Sequence, residues 1–282
     1  MLEPFVTTKS PNGKVIDKKY NPLIDKIWEN WTPLDAPRNP LVLAALAESG
    51  PNPISTRSDG ALEVETFMAR RTGEALIMIT DPGRAMNLMN NWIHLDTITG
   101  TGLLPFILPS SIYMEQSSGL TVNLRDISGF ANTIYFNMNG RKIYKDAPHP
   151  EIDRYFESKK NLINTSFFLT TDGGAITIPA VIGSTITVRA TVPPLFDFYM
   201  KKISGMSTGD YEISVRHNGI PLTEGNIHDE LFCGTGAFPK ILREPHLIRK
   251  KEQLELTFTN LIGPANVVYL TFSGTANFLN IE

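Results

Sequence analysis

Leu254, Leu256 and Phe258 alternate with Gln253, Glu255 and Thr257, and a few residues later Val268, Leu270 and Phe272 alternate with Val267, Tyr269 and Thr271. A period of two sends successive side chains to opposite faces of an extended chain, so this C-terminal stretch reads as two half-buried antiparallel strands. Between them, Asn260, Gly263, Pro264 and Asn266 supply the turn. Gly tolerates positive φ there, and Pro presets φ while giving up a donor. Such a pair belongs in a β-sandwich and has to find its partners upstream.

The chain has 282 residues, enough for two units each with its own core. Its 26 basic and 29 acidic residues leave a formal charge of −3, and no basic run is interleaved with aromatics. Nucleic acid is therefore not an expected partner. One cysteine, Cys233, rules out an intrachain disulfide framework, so stability has to come from packing or association. The start, Met1-Leu2-Glu3-Pro4-Phe5, has no basic region followed by an apolar run. Neither a signal peptide nor a membrane span is expected, and synthesis is expected in a cytoplasm.

Pro4, Pro11, Pro22, Pro33, Pro37, Pro40, Pro51 and Pro53 punctuate residues 1–60, which read as an extended arm. Two short helices are expected within it. One runs over 22–31 behind Asn21, the other over 40–48 behind Asn39 and closed by Gly50. A third helix is expected over 59–70, with Leu62, Thr66 and Ala69 on one face. Residues 61–150 read as a small mixed or β unit, with strands at 74–80, 103–109, 120–125 and 132–138. Residues 151–160 read as a linker helix.

From 161 to 282 the pattern is almost purely β, with strands at 175–178, 184–191, 196–204, 210–216, 230–233, 246–249, 253–259 and 266–273. The fold class expected is mainly β: a C-terminal antiparallel sandwich of jelly-roll type behind a smaller N-terminal part and an arm. No period of 20–50 residues repeats, which argues against a solenoid or propeller.

Little of the sequence points to chemistry. Gly205-Met206-Ser207-Thr208-Gly209 has the letters of a nucleophile elbow, and Asp229 and His246 follow in hydrolase order. An elbow needs a helix after the serine, however, and Tyr211, Ile213 and Val215 alternate as a strand does. His217, His228, Asp229, Glu230, Cys233 and His246 include good zinc ligands, but they form no compact ligand pair. Gly100-Thr101-Gly102 and Gly234-Thr235-Gly236 read as loops without a helix start to hold a phosphate. No catalytic, metal or cofactor residue is assigned, and no cofactor is expected.

The residues that suggest contact are Trp28, Trp31, Ile24 and Ile27 in the arm, together with Leu104 and Phe106 in the proline-flanked run 103–109. Large aromatics on a short segment serve either as a dock on the chain's own body or as an anchor in a neighbour.

The strand Phe198-Tyr199-Met200-Lys201-Lys202-Ile203 leads into a Ser-Thr-Gly loop and then Tyr211-Glu212-Ile213-Ser214-Val215. Leu231-Phe232-Cys233-Gly234-Thr235-Gly236 runs on into Phe238-Pro239 and Glu244-Pro245, and Phe272-Ser273-Gly274 closes the set. This pattern resembles the jelly-roll modules of tailed-bacteriophage virion structural proteins in decoration, neck and collar roles. The resemblance implies a non-enzymatic virion component at the neck, collar or capsid exterior. Its partners would be copies of itself and other virion proteins, without nucleic acid or membrane.

Two other readings stay open. One is a carbohydrate- or receptor-binding sandwich that offers a surface glycan Tyr199 and Tyr211. The other is a serine hydrolase that uses Ser207.

Overall fold

The computed structural model describes residues 27–31 (backbone only), 40–56, 60–115, 117–144 and 164–278. In the first half, β1 (Ile27–Trp31), β10 (Asn132–Tyr144), β4 (Gly60–Arg71) and β8 (Phe106–Met114) lie side by side in that order, and β2 (Leu41–Leu43) also pairs with β10. The second sheet of this half runs β3 (Asn52–Ser55), β9 (Gly119–Asp126), β5 (Ala75–Asp81), β6 (Met86–Asn87), with β7 (Ile93–His94) on β5.

The second half repeats the plan. One sheet is β11 (Asn164–Thr170), β20 (Asn266–Asn277), β14 (Asp197–Ser207), β18 (Lys240–Ile248), with β12 (Ile176–Ile178) on β20. The other is β13 (Thr185–Thr191), β19 (Gln253–Asn260), β15 (Tyr211–His217), β16 (Ile220–Pro221), with β17 (Ile227–His228) on β15. In each half the eight main strands run first-eighth-third-sixth in one sheet and second-seventh-fourth-fifth in the other. This is the two-Greek-key order of a jelly roll, so the chain folds as two jelly rolls in tandem.

The repetition reaches single residues. Arg71 pairs with Ile134 as Ser207 pairs with Val268, and Ala75 pairs with Asp126 as Tyr211 pairs with Asn260. β4 slips register between Val64 and Thr66, and β14 slips between Met200 and Lys202. Each slip faces a glycine, Gly140 or Gly274, where a Cβ would collide with the carbonyl oxygen of Glu63 or Tyr199. The hairpin after β4 is clasped by Asn132, whose Oδ1 accepts the Gly73 N–H at 2.9 Å. The hairpin after β14 is clasped by Asn266, whose Nδ2 donates to the Gly209 carbonyl at 2.7 Å.

In sequence, the signature is clearest where Ile93, His94, Gly100, Thr101, Gly102, Pro105, Ile107 and Leu108 recur as Ile227, His228, Gly234, Thr235, Gly236, Pro239, Ile241 and Leu242. Both Gly-Thr-Gly loops are held alike. Gly100 N–H donates to Phe67 O at 3.2 Å, and Gly234 N–H donates to Ile203 O at 3.3 Å.

Several local expectations fail here. Where described, the helices expected over 22–31 and 59–70 are strands β1 and β4, and that expected over 40–48 is the short strand β2 followed by a turn and an isolated bridge at Glu48. β10 supplies all three with backbone partners, and a helix would forgo that pairing. In β4 the bulge shifts the buried set from Leu62 and Val64 to Phe67, so plain alternation breaks in the middle of the strand. The strand expected over 230–233 is the helical turn α2 (Asp229–Phe232), whose first turn carries Asp229 and Glu230 where a helix N-terminus favours negative charge. Its counterpart is α1 (Leu95–Ile98). Ile24 and the linker helix expected at 151–160 lie outside the described residues.

One buried apolar cluster runs through both rolls, from Leu43 to Ala276. The two units therefore share a core. Adjacent residues of β11 explain how. Phe167 turns into its own roll against Phe196 and Phe198, with ring centroids 4.6 and 5.8 Å away. Phe168 turns the other way, against Phe67 and Phe106 of the first roll, at 5.9 and 6.1 Å.

Candidate interface at the seam between the rolls

The first roll meets the outer face of the sheet β11-β20-β14-β18. Phe168 enters a slot between Leu88 and Phe106, and its backbone adds to the chain beside it. Phe168 N–H donates to Leu88 O at 2.9 Å, and the Asn90 side chain holds both Thr170 backbone groups at 2.8 Å. Above the slot, Thr97 in α1 bonds Thr271 at 2.7 Å, and Ser204 Oγ donates to the Thr97 carbonyl.

Beside it, Lys201 Nζ reaches the Pro109 carbonyl at 3.1 Å and Lys202 Nζ reaches that of Ile107. Burial holds both ammonium groups below their ordinary lysine range. Gly236 completes the fit: its N–H donates to Asp96 O at 2.9 Å, and a Cβ there would strike the Asp96 and Thr99 carbonyls.

At the edge of the seam, His94 is fully buried and packs against Tyr269 with ring centroids 4.7 Å apart and planes tilted by 42°. Its Nδ1 accepts the Asp96 N–H at 3.3 Å, so Nε2 carries the proton that meets Glu74 at 2.6 Å. That hydrogen bond and Arg71 hold the Glu74 carboxyl below the usual range against its desolvation. The ligating atoms of Glu74, His94 and Asp96 lie within 4.8 Å of one another. A cation there would have to displace the Arg71 guanidinium, which already bonds Asp96 and sits 2.8 Å from Glu74. The network orients α1 against the second roll.

The residues with chemical letters are dispersed. His246 pairs with Met200, whereas Ser207 lies seven positions further along β14. At about 3.3 Å per residue that is roughly 23 Å. Ser207-Thr208-Gly209 is the β14–β15 hairpin, the counterpart of Arg71-Thr72-Gly73, and a strand follows it.

The zinc-type set splits in two. His217 bonds His246 at 3.1 Å and Glu252 at 3.0 Å, while His228 Nδ1 lies 2.9 Å from Asp229 Oδ1 near Cys233. Glu230 lies on α2, and Cys233 Sγ faces Tyr211 Oη at 3.7 Å inside the roll. Tyr211 is buried against Phe258, with ring centroids 5.5 Å apart, so it cannot stack on a glycan.

Of the expected contact residues, Phe106 is fully buried at the seam and Leu104 is exposed beside it. Ile27, Trp28 and Trp31 lie on β1, in register with Lys142, Arg141 and Met138. Phe168, the central residue of the seam, was not singled out by the sequence because the run Phe167-Phe168-Leu169 reads as ordinary core.

On the second roll, the slot that matches Phe168's is an open cavity of about 350 Å³. Its mouth is lined by Ile203, Leu222, Thr223 and Lys240, the counterparts of Phe67, Leu88, Met89 and Phe106. On the same roll Ile220, Leu231, Phe238 and Ile241 are exposed.

No protein-family model matches the sequence, and no curated protein matches it. Among solved structures, the chain is similar to a protein described under the triple jelly-roll fold and turret assembly of an archaeal virus, at 11% identity and a TM-score of 0.22, over 90% of this chain and 61% of that one. It is also similar to dimeric latent PorU from Porphyromonas gingivalis, at 11% identity and 0.18, over 80% and 25%. A third is the tandem CBM22 domain of Xyn10C from Paenibacillus barcinonensis, at 8% identity and 0.18, over 90% and 94%. The chain thus spans less than two thirds of the length of the first two, and overlaps this slight transfer none of their roles to it.

Proposed function

We propose that this chain is a non-enzymatic structural protein of a virion, built to be held by neighbouring protein surfaces. One observation carries the reading. Leu231 is 70% and Ile220 69% exposed on the second roll, whereas their counterparts on the first roll, Thr97 and Met86, are 0% and 8% exposed. A closing unit in a stack of modules carries a polar outer face. This one carries Ile220, Leu231, Phe238 and Ile241 exposed on the roll that holds the open cavity, and exposed large apolar groups gathered on one unit suit an interaction site.

The tailed-phage setting, at the neck, collar or capsid exterior, rests on the resemblance of the stretch 198–274 to such modules. Immunogold labelling of particles made by cells that express the chain tests it. Label on assembled particles is the expected result. A chain found only in the unassembled fraction would sink the reading.

A further inference from the structure

We propose that the partner on the exposed face of the second roll is a second copy of this chain, docked through the outer face of its first roll, so that the internal seam is repeated between molecules. The proposal rests on the assembly reading above and names the neighbour.

The seam itself is the template. Within one chain, a donor face built from residues 88–91, α1 and β8 docks on the outer face of the receiving sheet β11-β20-β14-β18. The second roll carries the equivalent donor face, made of residues 222–225, α2 and β18 with Thr223 and Lys240 in the places of Met89 and Phe106, and its slot is an open cavity among the described residues. The first roll carries the same receiving sheet, β1-β10-β4-β8, in matching order and register. Among the described residues each chain therefore has a second copy of the backbone frame of each half of this interface, with Asn30 on β1 in the place of Phe168 and Lys240 in the place of Phe106.

Three pairs of positions show that these halves suit one another. His94 packs against Tyr269 inside the chain. Their counterparts are His228, partly exposed on the donor face, and Tyr135, 45% exposed on the receiving sheet. Lys201 reaches the Pro109 carbonyl at 3.1 Å. At the counterparts of those two positions stand Glu65, 2.8 Å from Arg141, and Arg243, which lines the cavity of the second roll, so an acidic residue lies on one half and a basic one on the other. Gly236 closes against the Asp96 and Thr99 carbonyls, and its counterpart Gly102 has nothing within 4 Å. It is open to the Glu230 end of α2 from another copy. Such an interface is heterologous, and repetition gives a closed ring or an open filament.

Light scattering on the full-length protein after size exclusion, across its soluble concentration range, reads this directly. The wild type should run at multiples of 31.3 kDa. Leu231→Asp on the donor face and Tyr135→Asp on the receiving face should each return it to 31.3 kDa with unchanged melting temperatures. Mixed together, the two variants keep one good face each and should form a one-to-one pair and nothing larger.

A wild type that stays monomeric overturns the proposal. So does an assembly that survives Leu231→Asp, or a mixture that fails to pair although the wild type assembles. A monomeric chain that still labels particles would overturn self-docking alone, leaving the virion role with a different neighbour.

Discussion

Phe168 of the second roll lies 5.9 Å, ring centroid to ring centroid, from Phe67 of the first, while its neighbour Phe167 packs inside its own roll. Two consecutive phenylalanines on one strand thus feed two cores. Because side chains alternate across the sheet, a strand at the boundary can serve both sides at once, which an edge loop could not do.

Phe168→Ala should cost about 3–5 kcal/mol, the range for emptying a fully buried phenylalanine site. The cavity it leaves is shared, so both rolls should lose stability in one transition. Urea unfolding followed by fluorescence and by far-UV circular dichroism checks this. Two separated transitions in the wild type would show that the cores are independent.

Asn132→Ala and Asn266→Ala should destabilise the protein by similar amounts, about 1–3 kcal/mol each, because each strands buried backbone groups of its hairpin. Denaturant midpoints for the two variants measure the comparison. A large loss from one and none from the other would mean that the clasps are not equivalent.

Gly274→Ala should be strongly destabilising, because the new Cβ meets the Tyr199 carbonyl at the bulge of β14. Gly263→Ala, where nothing lies within 4 Å, should change the melting temperature little. Reversal of that order in thermal melts would contradict the strand register.

Acid should weaken the fold in a stated direction. The hydrogen bond with His94 holds the Glu74 carboxyl below its ordinary range, and the Arg249 N–H, among others, does the same for Glu252. A carboxylate depressed in the folded state adds stability that is fully present above its unfolded pKa of about 4.3 and is lost as the pH falls through the lower folded value. Stability against pH should therefore drop on that limb, and Glu74→Gln should flatten it. An unaltered acid limb in the variant would remove Glu74 from the account.

Much of the β content was readable because β5, β9 and β19 alternate cleanly, as in the buried Leu254, Leu256 and Phe258. β4 was hidden by its bulge, and β2 and β3 by the prolines around them. Pro53 is tolerated in β3 because that strand is at a sheet edge.

The duplication is present in the two Gly-Thr-Gly loops, yet each loop reads as a local turn because the repeat unit is a whole roll. Outside the loops, hairpins and bulges, core positions need only be apolar and of suitable size, so Phe67 faces Ile203 in the alignment and the likeness disappears. Phe106, expected as an interface residue, is packed against Phe168 of the same chain. Phe168 does not stand out, since nothing in a strand's letters tells which of two cores a face will meet.

A core that passes unbroken through the seam also has a mechanical meaning. Load placed on one roll reaches the other through packed rings and the Thr97–Thr271 bond, so the two rolls should turn as one body rather than swivel about a hinge.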